Sequence, residues 1–447
     1  MLFKSFVFKE EGNYMFRLKE HGTNVKTELI GGMTTFLTMV YIVVVNPIIL
    51  AEAGVPLDQV FMATIISAVI GTLWMALCAN YPIAIAPGMG LNAYFTYSVV
   101  LASDGKVDYI TAFATVFVAG IIFIILSLTP LREKLITAIP SNLKHAITSG
   151  IGLFIAFLGL RMSKVVVQSE DNLVMLGDLT SPGVMLTLFG LLVTVILMVR
   201  NMNGALFIGM VITGITAMLT GQLEIDKVVA LPHLPEGILV WNPIEAIGQV
   251  ISYGLYGIVF SFILVTLFDT TGTMVGVAKQ AGLMKNDKLP RARQAMLGDS
   301  IATTVGSMFG TSPTTAFVES SSGVAAGGRT GLTSLTVAIL FIVAAFFGPL
   351  VAALSGVAAI TSPTLIIVGA LMIGSVKEIE WNKFDEAFPA FLIILIMPLT
   401  SSISTGIAFG FIVYPILKIV KGEAKKVHIM LYIFAILFLF QLLFLPH

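Results

Sequence analysis

The chain has 447 residues, 57% of them hydrophobic and only 11% charged, whereas a soluble domain carries roughly 25% charged residues. With a mean hydropathy of +0.98, this balance excludes a water-soluble globule of the same size. The 25 Lys and Arg balance 25 Asp and Glu, so no global basic field points to nucleic acid, and the lone Cys78 excludes a disulfide framework and a cysteine-rich metal site.

Residues 1–27 mix Phe3, Phe6, Phe8 and Phe16 with Lys4, Lys9, Arg17 and Lys19. They lack the compact apolar stretch of a cleavable leader and read as a cytoplasmic, partly interfacial lead-in. Apolar runs able to cross about 30 Å of hydrocarbon follow near 28–50, 60–80, 83–101, 109–129, 143–161, 182–199 and 203–221. A second set of seven lies near 252–278, 292–309, 314–326, 331–354, 361–375, 387–400 and 403–420, with one more apolar helix near 428–445. The fold class this predicts is an all-α polytopic membrane protein. Lys and Arg concentrate on the cytoplasmic side of membrane proteins. With the N-terminus inside, only Lys106, Arg161, Lys164 and Lys227 fall outside.

Two segments are too short and polar for plain spans, and each is third in its set. The first is Ala84-Ile85-Ala86-Pro87-Gly88-Met89-Gly90-Leu91-Asn92-Ala93, the second Thr311-Ser312-Pro313-Thr314-Thr315-Ala316-Phe317-Val318-Glu319-Ser320. In each, a Pro breaks the helix, a short extended piece follows, and Asn92 or Glu319 stands near the start of a resumed half-helix. Non-helical backbone at membrane depth is tolerated where it lines a cavity or is buried in protein, and paired broken segments point to a transporter site near the midplane. Laying Thr35–Pro47 on Ser261–Thr270 puts Asn46 opposite Asp269. Seven being odd, the second set enters from the opposite side, so the repeats are expected to be inverted.

An acid within hydrocarbon costs at least about 2.5 kcal/mol. Asp269 and Glu319 are the two placed at depth, with Asp299 nearer the cytoplasmic end and read as structural. The functional reading of the pair is solute ligand or proton carrier; the alternative is a structural ion or hydrogen-bond pair. Hydroxyls surround them, Thr266, Thr270, Thr271 and Thr273 on one side and Ser312, Thr314, Thr315, Ser320, Ser321 and Ser322 on the other, although such groups commonly bond their own helix. A polar cavity of this kind suits a flat heterocycle with alternating donors and acceptors, which Phe36, Phe268, Phe317 or Tyr94 could stack upon. Asp269-Thr270-Thr271-Gly272 lacks the second motif an aspartic protease needs, and Gly327-Gly328-Arg329-Thr330-Gly331 lacks the ending of a phosphate loop. The five histidines are dispersed. No metal or cofactor is therefore expected, and an intramembrane enzyme would need a catalytic partner that the sequence does not offer.

Four segments carry a resemblance over essentially the whole chain. They are Gly31-Gly32-Met33-Thr34-Thr35-Phe36-Leu37-Thr38-Met39 leading to Asn46-Pro47, Ala86 to Ala93, Leu267-Phe268-Asp269-Thr270-Thr271-Gly272-Thr273, and Gly310 through Glu319 to Leu332. In these the chain resembles the AzgA-like purine permeases, a branch of the nucleobase/cation symporters. The resemblance implies two inverted repeats of seven spans, the third and tenth broken, arranged as core and gate domains. The expected division is core 28–130, gate 131–221, extracytoplasmic loop 222–251, core 252–355, gate 356–421 and a C-terminal apolar helix 422–447. It implies proton symport of hypoxanthine, guanine or adenine across a bacterial inner membrane, not an enzymatic activity. The site would take in Glu319, Asp269, Asn92, Thr266, Phe268, Thr315, Ala316, Phe317 and Met89, with Asp269 and Glu319 handling the proton. Many members of that family carry a second acid three residues before the position of Asp269, where this chain has Thr266. That departure leaves open whether Asp269 contacts the base or only the proton. Partners implied are a purine nucleobase, protons and the lipid bilayer, with no nucleic acid; a homodimer would hold the gate domain still while the core moves. The competing reading is an anion transporter or channel of the same fold.

Overall fold

In hydrocarbon a backbone must satisfy its own N–H and C=O groups, which leaves helices as the natural state of these apolar runs. The computed structural model describes residues 16–129, 138–169, 173–235, 237–284 and 289–444. Among them, nine helices are long and apolar enough to cross a membrane, as the hydropathy pattern predicts for a polytopic chain.

In chain order the elements are α1 (Val25–Met39), α2 (Ile42–Ala51), α3 (Leu57–Trp74), strand β1 (Ile85–Pro87), α4 (Met89–Ala93), α5 (Tyr109–Leu128) and α6 (Ser141–Met162). A hairpin of β2 (Val166–Ser169) and β3 (Leu173–Leu176) follows, then α7 (Pro182–Val199) and α8 (Ala205–Leu219). The rest comprises α9 (Pro243–Ser252), α10 (Tyr256–Gln280), α11 (Ala292–Phe309), β4 (Thr314–Ala316), α12 (Ser320–Ala325) and α13 (Gly331–Ala344). After these come α14 (Gly348–Ser355), α15 (Ala358–Ile373), α16 (Phe384–Thr400), α17 (Ile403–Val420) and α18 (Ile429–Phe444). Side-chain caps begin several helices: Asn24 accepts from Thr27 N at 3.0 Å, Asp108 from Thr111 N at 2.8 Å and Thr330 from Leu332 N at 3.3 Å. Each satisfies an amide that the helix itself leaves free.

Two features lie outside the sequence expectation. The segment 222–251, read as loop, contains most of α9, capped by Asn242. Its Ala246 and Val250 face inward while Ile244, Ile247 and Ile251 stay exposed. The β2–β3 hairpin pairs Val166 with Leu176 in a stretch read as a plain connection. The expected span near 292–309 is α11, which carries Arg293 and Asp299 and is more polar than the nine long apolar helices.

The helices pack in two groups. α6 lies against α15 and α16, α15 against α7, α7 against α8, and α16 against α17, which carries α18. In the other group α3 lies against α11 and α13, α11 against α5, and α13 against α1. Small residues set the closest approaches: a Cβ on Gly32 of α1 would stand 2.7 Å from the Thr333 carbonyl of α13, and one on Gly190 of α7 would stand 2.5 Å from Thr213 Oγ1 of α8.

Buried charge is neutralised at two places. Glu28, at the start of α1, is fully buried and accepts from the amides of Arg329 (2.9 Å), Thr330 (3.2 Å) and Thr333 (3.2 Å) and from Thr333 Oγ1 (2.6 Å). A carboxylate there meets the positive end of α13. On the other group Lys418 of α17, 6% exposed, pairs with Asp385 and, at 2.6 Å, with Glu386 of α16. Glu386 also accepts from Asn142 of α6 at 2.7 Å and Tyr414 at 3.0 Å, so one charge cluster joins three helices.

Candidate functional site

The helices before the two strands end abruptly. The turn after α3 stops at Asn80 with φ 52°, and α11 stops at Gly310 with φ 102°, where glycine lacks the Cβ that penalises such backbone. The released chains meet as an antiparallel pair, Ile85 opposite Ala316, Ala86 opposite Thr315 and Pro87 opposite Thr314. The bonds around this pair match end for end. Phe317 N donates to Ala84 O at 3.0 Å while Gly88 N donates to Pro313 O at 3.0 Å. Ala84 N donates to Ser320 Oγ at 3.0 Å, and Ser312 Oγ donates to Asn92 Oδ1. Thr72 of α3 bonds Ile85 N at 3.0 Å, and Thr303 of α11 accepts from Thr314 N at 3.0 Å. Gly88 has to be small: a Cβ there would lie 3.0 Å from Thr315 Oγ1.

A cavity of about 1020 Å³ opens beside this crossing. Asp269 of α10 and Glu319, the residue before α12, line it with Met89, Thr315, Ala316 and Phe317. Six of the residues singled out in the sequence are thus gathered there. Asp269 and Glu319 are partly exposed, as residues that front a cavity must be. Asp269 stands beside the Thr315 side chain, and Glu319 Oε1 accepts from Tyr41 Oη at 2.6 Å. Two carboxylates in a partly apolar cavity can accept from solute N–H groups, and either can carry a proton.

Asn92 and Thr266 do not line the cavity. Asn92 is fully buried, holding Ser312 on one side with its Nδ2 4.0 Å from Met89 Sδ on the other. It ties one strand–helix segment to the other. The Phe268 side chain lies outside the described residues. Phe36 packs edge-on against Phe341 at 5.3 Å and Tyr94 against Phe262 at 5.0 Å, and neither lines the cavity. Asp299 is fully buried and accepts from Thr270 at 2.7 Å and Thr314 at 2.9 Å, joining α10, α11 and β4. Asn46 donates to Thr64 at 2.7 Å and Thr311 at 2.9 Å, far from any solute role.

Sequence reasoning did not single out Tyr41, Thr38, Lys144 or His145, all of which line the cavity. Lys144 and His145 lie in the first turns of α6, and the wall continues through Asn201 to Leu206, with Thr271, Thr273, Leu371, Met372 and Ser375. A polytopic helical chain with a solute-sized cavity and paired carboxylates at the crossing of two interrupted segments has the form of a membrane transport protein. The Xan_ur_permease model, described as a permease family, matches residues 26–409, and the chain belongs to that family. It is 67% identical over 429 residues to the guanine/hypoxanthine permease PbuO of Bacillus subtilis, covering 96% of this chain and 99% of that one. It is 41% identical over 441 residues to the adenine permease AdeQ of Escherichia coli, covering 98% of each. Among solved structures, the transmembrane domain of the cyanobacterial bicarbonate transporter BicA superposes with a TM-score of 0.64 at 17% identity, over 87% of this chain and 97% of that one. That last likeness concerns the fold alone.

Proposed function

We propose that the protein imports purine nucleobases, hypoxanthine and guanine first and adenine as a further candidate, by proton symport across a bacterial inner membrane. The observation that carries this reading is the cavity at the strand crossing with Asp269 and Glu319 in its wall. The names of the relatives support the choice of solute: guanine and hypoxanthine for one at 67% identity, adenine for another at 41%. A ring N–H of the base meets Glu319, Phe317 and Met89 bound its faces, and Asp269 holds the coupling proton. A proton carried on Asp269 while the base is bound links solute and proton movement.

The end-for-end bonds around β1 and β4 support two inverted repeats of seven spans, with the third and tenth broken at these strands. The two packing groups support core domains at 28–130 and 252–355 and gate domains at 131–221 and 356–421. Alternating access then follows from motion of the core against the gate. Lys144, Asn201 and Ser375 of the cavity wall lie near Arg200, Lys377 and Lys383 in sequence, which supports an opening on the cytoplasmic side. The conformation is therefore read as inward-open. A homodimer through the gate domains would steady them against the moving core.

The test is uptake of radiolabelled hypoxanthine into membrane vesicles with and without an imposed pH gradient. Accumulation that collapses with a protonophore is expected; accumulation indifferent to it contradicts the coupling.

A further inference from the structure

We infer that Tyr41 is a positioning residue for Glu319, its hydroxyl fixing one carboxylate oxygen so that the other is presented to the solute. This rests on the reading above, in which Glu319 contacts the carried base. α1 ends at Met39 and α2 begins at Ile42, and Tyr41 sits in the gap, where Val44 N and Val45 N both bond its carbonyl at 3.1 and 2.9 Å. Val40 and Tyr41 keep helical backbone angles, so α1 and α2 run on as one span that carries the Tyr41 side chain to Glu319.

The Tyr41 ring is 1% exposed and cannot swing away, yet its Oη reaches Glu319 Oε1 at 2.6 Å. One turn earlier Thr38 Oγ1 lies 3.4 Å from the Glu319 carbonyl. The first-half helix thus holds Glu319 at its side chain and its main chain, and all three residues line the cavity. The final torsion of a glutamate is broad and two-fold. A fixed phenol donor narrows it to one orientation, and a hydrogen bond to an ionised carboxylate is about twice as strong as a neutral one. An ionised carboxylate offers about four acceptor sites; with one taken by Tyr41, the free oxygen is aimed before the solute arrives, which is what a binding site needs from its supporting residues. If the residue served only to fill space, its hydroxyl would be dispensable.

Tyr41→Phe keeps the ring and removes only the hydroxyl. In membrane vesicles bearing the full chain, KM for hypoxanthine is expected to rise roughly tenfold, with the maximal rate changing far less. Glu319→Asp withdraws the carboxylate by one methylene from the hydroxyl, so on that background Tyr41→Phe is expected to add nothing. An unchanged KM for Tyr41→Phe beside an impaired Glu319→Gln overturns this inference alone. So does a loss from Tyr41→Phe that is as large in the Glu319→Asp background as in the unaltered protein. A wild-type KM for Glu319→Gln overturns the underlying reading and the inference with it.

Discussion

Asp269 and Glu319 share a cavity but are held differently, and under the proposed function they do different work. Glu319 is anchored by a phenol from the opposite half of the chain, whereas Asp269 has the Thr315 side chain of the adjoining strand beside it. Asp269→Asn should therefore depress gradient-driven accumulation of hypoxanthine at least tenfold more than it depresses exchange of internal for external hypoxanthine. Equal losses in the two assays remove the proton from Asp269. Both acids are legible in the sequence because a carboxylate within an apolar run is costly enough to demand a reason. Tyr41 is not, since a tyrosine among Val and Ile reads as packing until its partner, 278 positions away, is known. Glu28 is hidden for another reason: it lies at the boundary of a span, where an acid looks solvated, and only the fold brings the amides of Arg329, Thr330 and Thr333 onto it.

Among the elements, the strand–helix segments are readable from Pro87 and Pro313 and the polar residues beside them, because proline and glycine interrupt helices by known steric means. Their mutual pairing is not readable, as the register of three residues against three depends on the approach of helices far apart in sequence. The helix α9 and the β2–β3 hairpin escape a hydropathy reading because each is far shorter than a membrane span and α9 interleaves Glu245 and Gln249 with its apolar residues. In sequence the cluster of Lys418, Asp385, Glu386, Asn142 and Tyr414 likewise looks like ordinary loop-proximal charge. Its burial has a consequence for stability, since removing one member of a buried ion pair strands the other at a cost of about 3 kcal/mol or more. Lys418→Met should lower the unfolding temperature of the detergent-solubilised protein by several degrees while hypoxanthine affinity in the surviving fraction is retained. An unfolding temperature equal to that of the unaltered protein shows that the cluster contributes no net stability.

At the scale of the whole molecule, the hydropathy pattern and the distribution of Lys and Arg convey a polytopic chain, because the bilayer imposes both. The state of the cavity cannot be foreseen from them, since one sequence serves every step of a transport cycle. The inward-open reading makes its own prediction in a Cys78→Ser background. A cysteine placed by Ser322→Cys, in the cavity wall, should react with a membrane-impermeant maleimide in inside-out vesicles and be protected by hypoxanthine. Preferential reaction in right-side-out vesicles reverses the proposed orientation. Under the proposed function Glu319 is the group that meets the base, and calorimetric titration of the purified protein and its Glu319→Gln variant with hypoxanthine tests this most directly. Saturable binding to the first and a loss of at least a hundredfold in affinity in the second, about 2.7 kcal/mol, is the result expected; equal affinities contradict it.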